Sequence, residues 1–176
     1  MLRQRLKASD VREQLGLPRG QLINKGGGGD DFPDVIWRLE FADMAAQDAD
    51  MKVRATSPEF EAIRHDMRQL YRRFERPLYA PCRDGDTAPL RIGPQQTLLL
   101  YGVYCEESIG AAACDILGSK TASGLFRTVK FISGGKNIPQ ILCETRETGI
   151  PQAASAALDQ LPVRIRRSLW QTADYG

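Results

Sequence analysis

A chain of 176 residues with 42% hydrophobic content is long enough for one well-filled core and short for two, so one domain with an N-terminal appendage is expected. The formal net charge of +2 excludes a strong overall positive field, and any nucleic-acid role has to come from a local patch. No apolar run reaches the roughly eighteen residues of a membrane span, and the start, MLRQRLKASD, lacks the apolar segment of a secretory signal. The expected location is cytoplasmic, with no membrane partner.

The segment Ala8 to Asn24 reads as two short helices hinged at Gly16-Leu17-Pro18. The run from Val11 to Leu22 is similar to the common bacterial helix-turn-helix pattern, in which valine and leucine bury the first helix and a glycine makes the turn. It departs from that pattern at Arg12, which stands where a small residue usually sits at the helix crossing. Residues 1–29 carry six Lys or Arg against two acids, and they read as a basic helical arm ending in the Gly26–Gly29 linker, ahead of one α+β domain over 30–176. The glycine run is no phosphate loop, because no Gly-Lys-Ser/Thr ends it.

Residues 30–50 then carry seven acids against one Arg. Asp34 to Ala42 alternates Val35, Trp37, Leu39 and Phe41 with more polar neighbours, the pattern of a half-buried strand. Asp50 to Thr56 is expected to be its hairpin partner, with Met51, Val53 and Ala55 inward and 43–48 as the loop. Pro33-Asp34 and Asp50-Met51-Lys52, opening two strands ahead of a helix, resemble the PD-(D/E)xK nuclease site. That resemblance implies Asp34 and Asp50 as Mg²⁺ ligands and Lys52 as the group activating water. The sparse packing expected around these residues favours an accidental match.

Ser57 to Arg76 is the best-specified helix. Ser57 is a good N-cap, Pro58 suits the first helical position, and Glu59 and Glu61 complement the positive dipole end. Phe60, Ile63, Met67, Leu70, Tyr71 and Phe74 form its apolar face, and Arg64, Arg68, Arg72 and Arg76 recur every four residues as a basic stripe. Such a stripe either follows phosphates or forms a solvated face paired to Glu61, Asp66 and Glu75.

Asp84-Gly85-Asp86 reads as a turn between short extended pieces, and Thr97 to Cys105 as a central strand. Ile109 to Leu117 reads as a short helix, and Leu125–Ser133 with Ile138–Thr145 as a hairpin across Gly134-Gly135-Lys136-Asn137. Arg127 and Lys130 fall on opposite faces of that hairpin, which also lacks the aromatic pair of an RNA-recognition sheet. Pro151 to Leu161 begins a terminal helix, with Pro162 forcing a kink or restart into VRIRRSLW. Cys82, Cys105, Cys114 and Cys143 include no Cys-x-x-Cys pair, and His65 is the only histidine, so reduced thiols and no metal or cofactor are expected.

The sequence therefore reads as an α+β protein, a mixed, mostly antiparallel sheet packed on two helices. Its expected role is a non-enzymatic accessory or regulatory protein of a nucleic-acid process, binding DNA or RNA through Arg12, Arg19, Lys25, Arg64, Arg68 and Arg72. The alternatives are the Mg²⁺-dependent nuclease of Asp34, Asp50 and Lys52, and a structural subunit with a protein partner or a second copy of itself.

Overall fold

The computed structural model describes residues 2–28, 33–83, 91–93, 96–119, 127–135, 137–146 and 149–173. The chain divides into two compact units, one formed by Met1–Asn24, Val35–Phe74 and Thr172–Gly176, the other by Lys25–Asp34 and Glu75–Gln171. The expected turn at Asp84-Gly85-Asp86 lies outside the described residues. Among these residues there are five helices and seven strands, and every strand ladder is antiparallel, an α+β architecture.

The first unit opens with α1 (Leu2–Gln14), which closes on a hydrogen-bonded C-cap. The Gly16 N–H donates to the Glu13 carbonyl at 3.0 Å and the Leu17 N–H to the Arg12 carbonyl at 2.9 Å, with Gly16 at φ +71°. This is the paired bonding of a Schellman stop, with Pro18 following as a residue that cannot continue the helix. The hinge of the helix-turn-helix pattern is therefore a helix terminator. The expected second helix is a strand, β1 (Gln21–Gly28), and Gly26–Gly28 belong to it. Gly20 at φ +78° precedes β1, and a Cβ there would lie 2.8 Å from the Arg38 carbonyl oxygen, so only glycine fits.

Residues Gln21 to Asn24 pair with β2 (Val35–Arg38), in register Leu22 to Trp37 and Ile23 to Ile36. The predicted strand at Asp50 is instead the middle of α2 (Met44–Ala55), where the Asp43 carboxylate caps the start by accepting from the Ala46 N–H at 2.7 Å. Inward-facing charge explains the misreading. The one buried residue of α2 is Asp50, and Met44, Met51 and Val53 are exposed, so hydrophobic periodicity points the wrong way.

Helix α3 (Pro58–Arg68) begins as expected, the Ser57 hydroxyl accepting from the Phe60 N–H at 3.1 Å, but it ends eight residues before Arg76. Tyr71 and Phe74 stack at 4.8 Å and both flank the Arg5 guanidinium, contacts that take the chain off the helical path. Phe60, Ile63 and Met67 pack on Ala8 and Val11 of α1 to form this unit's core.

The second unit is built on a sheet in the order β7 (Arg164–Thr172), β4 (Thr97–Tyr104), β6 (Ile141–Thr145), β5 (Arg127–Ser133) and β3 (Leu78–Pro81). Leu99, Tyr101, Val103, Ile141 and Cys143 face α4 (Glu107–Gly118) and α5 (Gln152–Leu158), which contribute Ala113, Leu117, Ala154 and Leu158. Each fully buried leucine here is worth about 2 kcal/mol. The turn after β5 uses Gly134, Gly135 and Asn137 at positive φ, and a side chain at Gly134 would collide with the Arg76 carbonyl.

Two expectations fail in this unit. The segment after Pro162 is β7 rather than a continued helix, because Leu161, Ile165 and Leu169 are four apart and share a face in a strand as well as in a helix. The cysteines are also not all free. Cys82, just past β3, is disulfide-bonded to Cys114 of α4 with Cα atoms 5.9 Å apart, leaving Cys105 and buried Cys143 as thiols. A disulfide needs spatial closeness and no sequence spacing, so the absence of a Cys-x-x-Cys pair could not exclude it.

Candidate nucleic-acid interface

The α1–α3 pair determines which cations of the first unit reach solvent. The Leu2 end of α1 lies beside the C-terminal end of α3: the Gln4 amide donates to Asp66 at 3.4 Å, and the buried Arg5 guanidinium sits 5.1, 5.3 and 5.2 Å from the ring centres of Trp37, Tyr71 and Phe74. At this end Arg3 and Lys7, one turn apart on α1, are exposed, as are Arg68 and Arg72. Arg64 is paired with Glu61 one turn before it. Arg72 lies past the end of α3, so the four-residue stripe does not continue beyond Arg68 as one helical line.

Arg12 is fully buried and lies on no surface. Its two terminal nitrogens donate to the two oxygens of Asp50, one at 3.0 Å, and its Nε donates to the Pro18 carbonyl at 2.7 Å. The guanidinium also lies 5.3 Å over Trp37. Asp50 Oδ1 accepts a further bond from Arg54 Nε at 2.6 Å. Burial pushes the Asp50 pKa up, but hydrogen bonds and charge from Arg12 and Arg54 outweigh it and hold the carboxyl below its ordinary value. Ion pairing and ring stacking thus explain an arginine at a position where the helix-turn-helix pattern has a small residue.

The other sequence-proposed residues are scattered. Arg19 is half-exposed and held by Asp10 and by Glu13 at 3.2 Å, both from α1. Lys25 lies 3.8 Å from the exposed Asp34 carboxylate across the β1–β2 hairpin. Lys52 is exposed on α2. Two positions apart on a helix, Asp50 and Lys52 project about 200° from each other rather than along one strand face. Asp34 and Asp50 each meet local cations, and among the described residues no three His, Cys, Asp or Glu side chains converge to hold a metal.

Sequence reading did not single out Arg3 and Lys7, although the basic bias of residues 1–29 was the available signal. The Arg5 ring cluster had no local signal, since its aromatics are contributed by β2 and the segment after α3. Comparison with protein-family models, curated proteins and solved structures finds no match to this chain. No helix among the described residues is long and apolar enough to cross a membrane.

Proposed function

We propose that the protein is a non-enzymatic accessory or regulatory component of a nucleic-acid process, holding DNA or RNA by its phosphates at the shared end of α1 and α3. The observation that carries this reading is the exposure of Arg3, Lys7, Arg68 and Arg72 at one end of the helix pair. The C-terminal dipole of α3 is complemented by Arg68, and exposed cations of this kind neutralise phosphates and release counterions. Arg12, Arg19 and Lys25 support it less, each being engaged by carboxylates of its own unit.

Fluorescence anisotropy with a labelled duplex at low salt tests the reading. Four phosphate contacts predict that log K falls against log salt with a slope of about −3 to −4. The double variant Arg68→Glu, Arg72→Glu should weaken binding at least about tenfold, with the thermal transition unchanged. No binding of duplex or single strand by the parent protein at low salt would refute it.

A further inference from the structure

In the Glu75–Gln171 unit the antiparallel pairing lines up one transverse row with members in β3, β5, β4 and β7. Tyr79 of β3 stands opposite Phe131 of β5. The Phe131 N–H donates to the Gln140 carbonyl at 2.7 Å and the Gln140 N–H to the Val103 carbonyl at 2.8 Å, so Gln140 links β5 to the end of β4 where Tyr104 follows Val103. Tyr104 of β4 stands opposite Arg164 of β7. Strand alternation turns Tyr104 and Arg164 away from Val103 and Ile165, which belong to the core beneath α4 and α5. Tyr79 meets Phe131 edge to face at 5.9 Å between ring centres and anchors itself by donating its hydroxyl to the Pro139 carbonyl at 3.1 Å. Arg164 lies 5.0 Å over the Tyr104 ring. Phe131 and Tyr104 are half-buried and Arg164 is exposed.

We propose that this row is a stacking platform for single-stranded nucleic acid, with bases laid on Phe131 and on the Tyr104–Arg164 stack, and phosphates met by Arg164. The inference rests on the nucleic-acid reading above and adds to it the strandedness of the ligand and a second surface. Four strand-to-strand steps of about 4.8 Å make the row roughly 19 Å long, the reach of a few nucleotides. Every base has a face that stacks on an aromatic ring or a guanidinium plane, so such a row is tolerant of sequence. Charge favours this occupant. Arg164 alternates onto the aromatic face and is exposed, whereas Glu144, on the same face, is buried against Arg127 at 3.3 Å and has its charge met inside the protein. The β5–β6 hairpin alone lacks an aromatic pair; the flanking strands β3 and β4 supply the missing rings.

The test uses the full chain, with a labelled twelve-nucleotide oligothymidine and a duplex of mixed sequence as anisotropy probes. Phe131→Leu and Tyr104→Leu should each weaken the single strand about tenfold and leave the duplex unchanged. Arg164→Gln, an exposed change that spares the fold, should weaken the single strand and flatten its salt slope by roughly one contact's worth. Equal single-strand affinity in the parent and in Arg164→Gln, and in whichever ring variants keep the parental circular dichroism, overturns the platform. In that case duplex binding lost in Arg68→Glu, Arg72→Glu would still uphold the α1–α3 reading. A parent that binds neither probe overturns both.

Discussion

Removing the Asp50 carboxylate is the most direct probe of how the first unit is built. In Asp50→Ala the guanidinium of Arg12, 0% exposed in the native protein, loses both carboxylate bonds and keeps the Pro18 carbonyl and the Trp37 face. An uncompensated buried charge of this kind costs about 3–5 kcal/mol, a large part of the roughly 5–15 kcal/mol that stabilises a domain. Arg54 is 16% exposed and can turn to water, so the penalty falls on Arg12. Urea titration at pH 7 should show a lower midpoint with an unchanged slope. The pair Arg12→Met, Asp50→Leu should recover most of the loss, because it leaves no buried charge. The folded pKa of Asp50 is lowered, so its contribution is fully present above the unfolded carboxyl value near roughly 4 and is lost as pH falls through the folded value. The stability gap between the parent and Asp50→Asn should therefore close only in acid. A loss below about 1 kcal/mol for Asp50→Ala, with no coupling to Arg12→Met, would refute the buried pair.

Denatured without reductant, the protein should expose two titratable thiols to a chromogenic disulfide reagent, Cys105 and Cys143, and after reduction four; four in both cases would remove the Cys82–Cys114 bond. With its cysteines 32 positions apart in sequence, that bond should be worth about 3–4 kcal/mol by loop entropy, so Cys82→Ser should lower the urea midpoint under oxidising conditions and not under reducing ones. Gly16→Ala places a side chain at φ +71° with nothing within 4 Å, so the cost should be the backbone strain alone, about 1 kcal/mol by thermal melting. Gly20→Ala adds a collision with the Arg38 carbonyl and should cost clearly more; equal costs for the two would contradict the tight approach of β2.

What the sequence revealed was decided by whether the inward residues were apolar. Helix α3 announced itself through Ser57, Pro58 and the Phe60–Ile63–Met67 spacing, and β4 through an apolar run buried on both faces. The β5–β6 hairpin was legible because Gly134, Gly135 and Asn137 carry the positive φ that its turn demands. Helix α2 was not legible, because its inward positions are Asp50 and Arg54 and its methionines look outward. β7 was lost to a spacing of four that serves both periods. The Asp43 cap followed by Met-Ala-Ala was the local signal that should have outweighed the alternation of Met51, Val53 and Ala55.

The same distinction governs the candidate site. Counting cations along residues 1–29 gives a basic arm, but Arg5 and Arg12 are spent inside the protein on aromatic rings and Asp50, and Arg19 is met by two acids of α1. Only position in three dimensions separates an arginine that glues helices from one that can neutralise a phosphate, since both occur at similar helical spacings. Among the exposed cations of this unit, Arg3 and Lys7 lie on α1 and Arg68 and Arg72 at and just past the end of α3, segments about sixty residues apart whose helices are held together by the Ala8, Val11, Phe60, Ile63 and Met67 contacts. A surface assembled in this way has no linear motif. Its charge follows from the apolar packing beneath it, so a change that loosens the α1–α3 core should disperse the patch without altering a single charged residue.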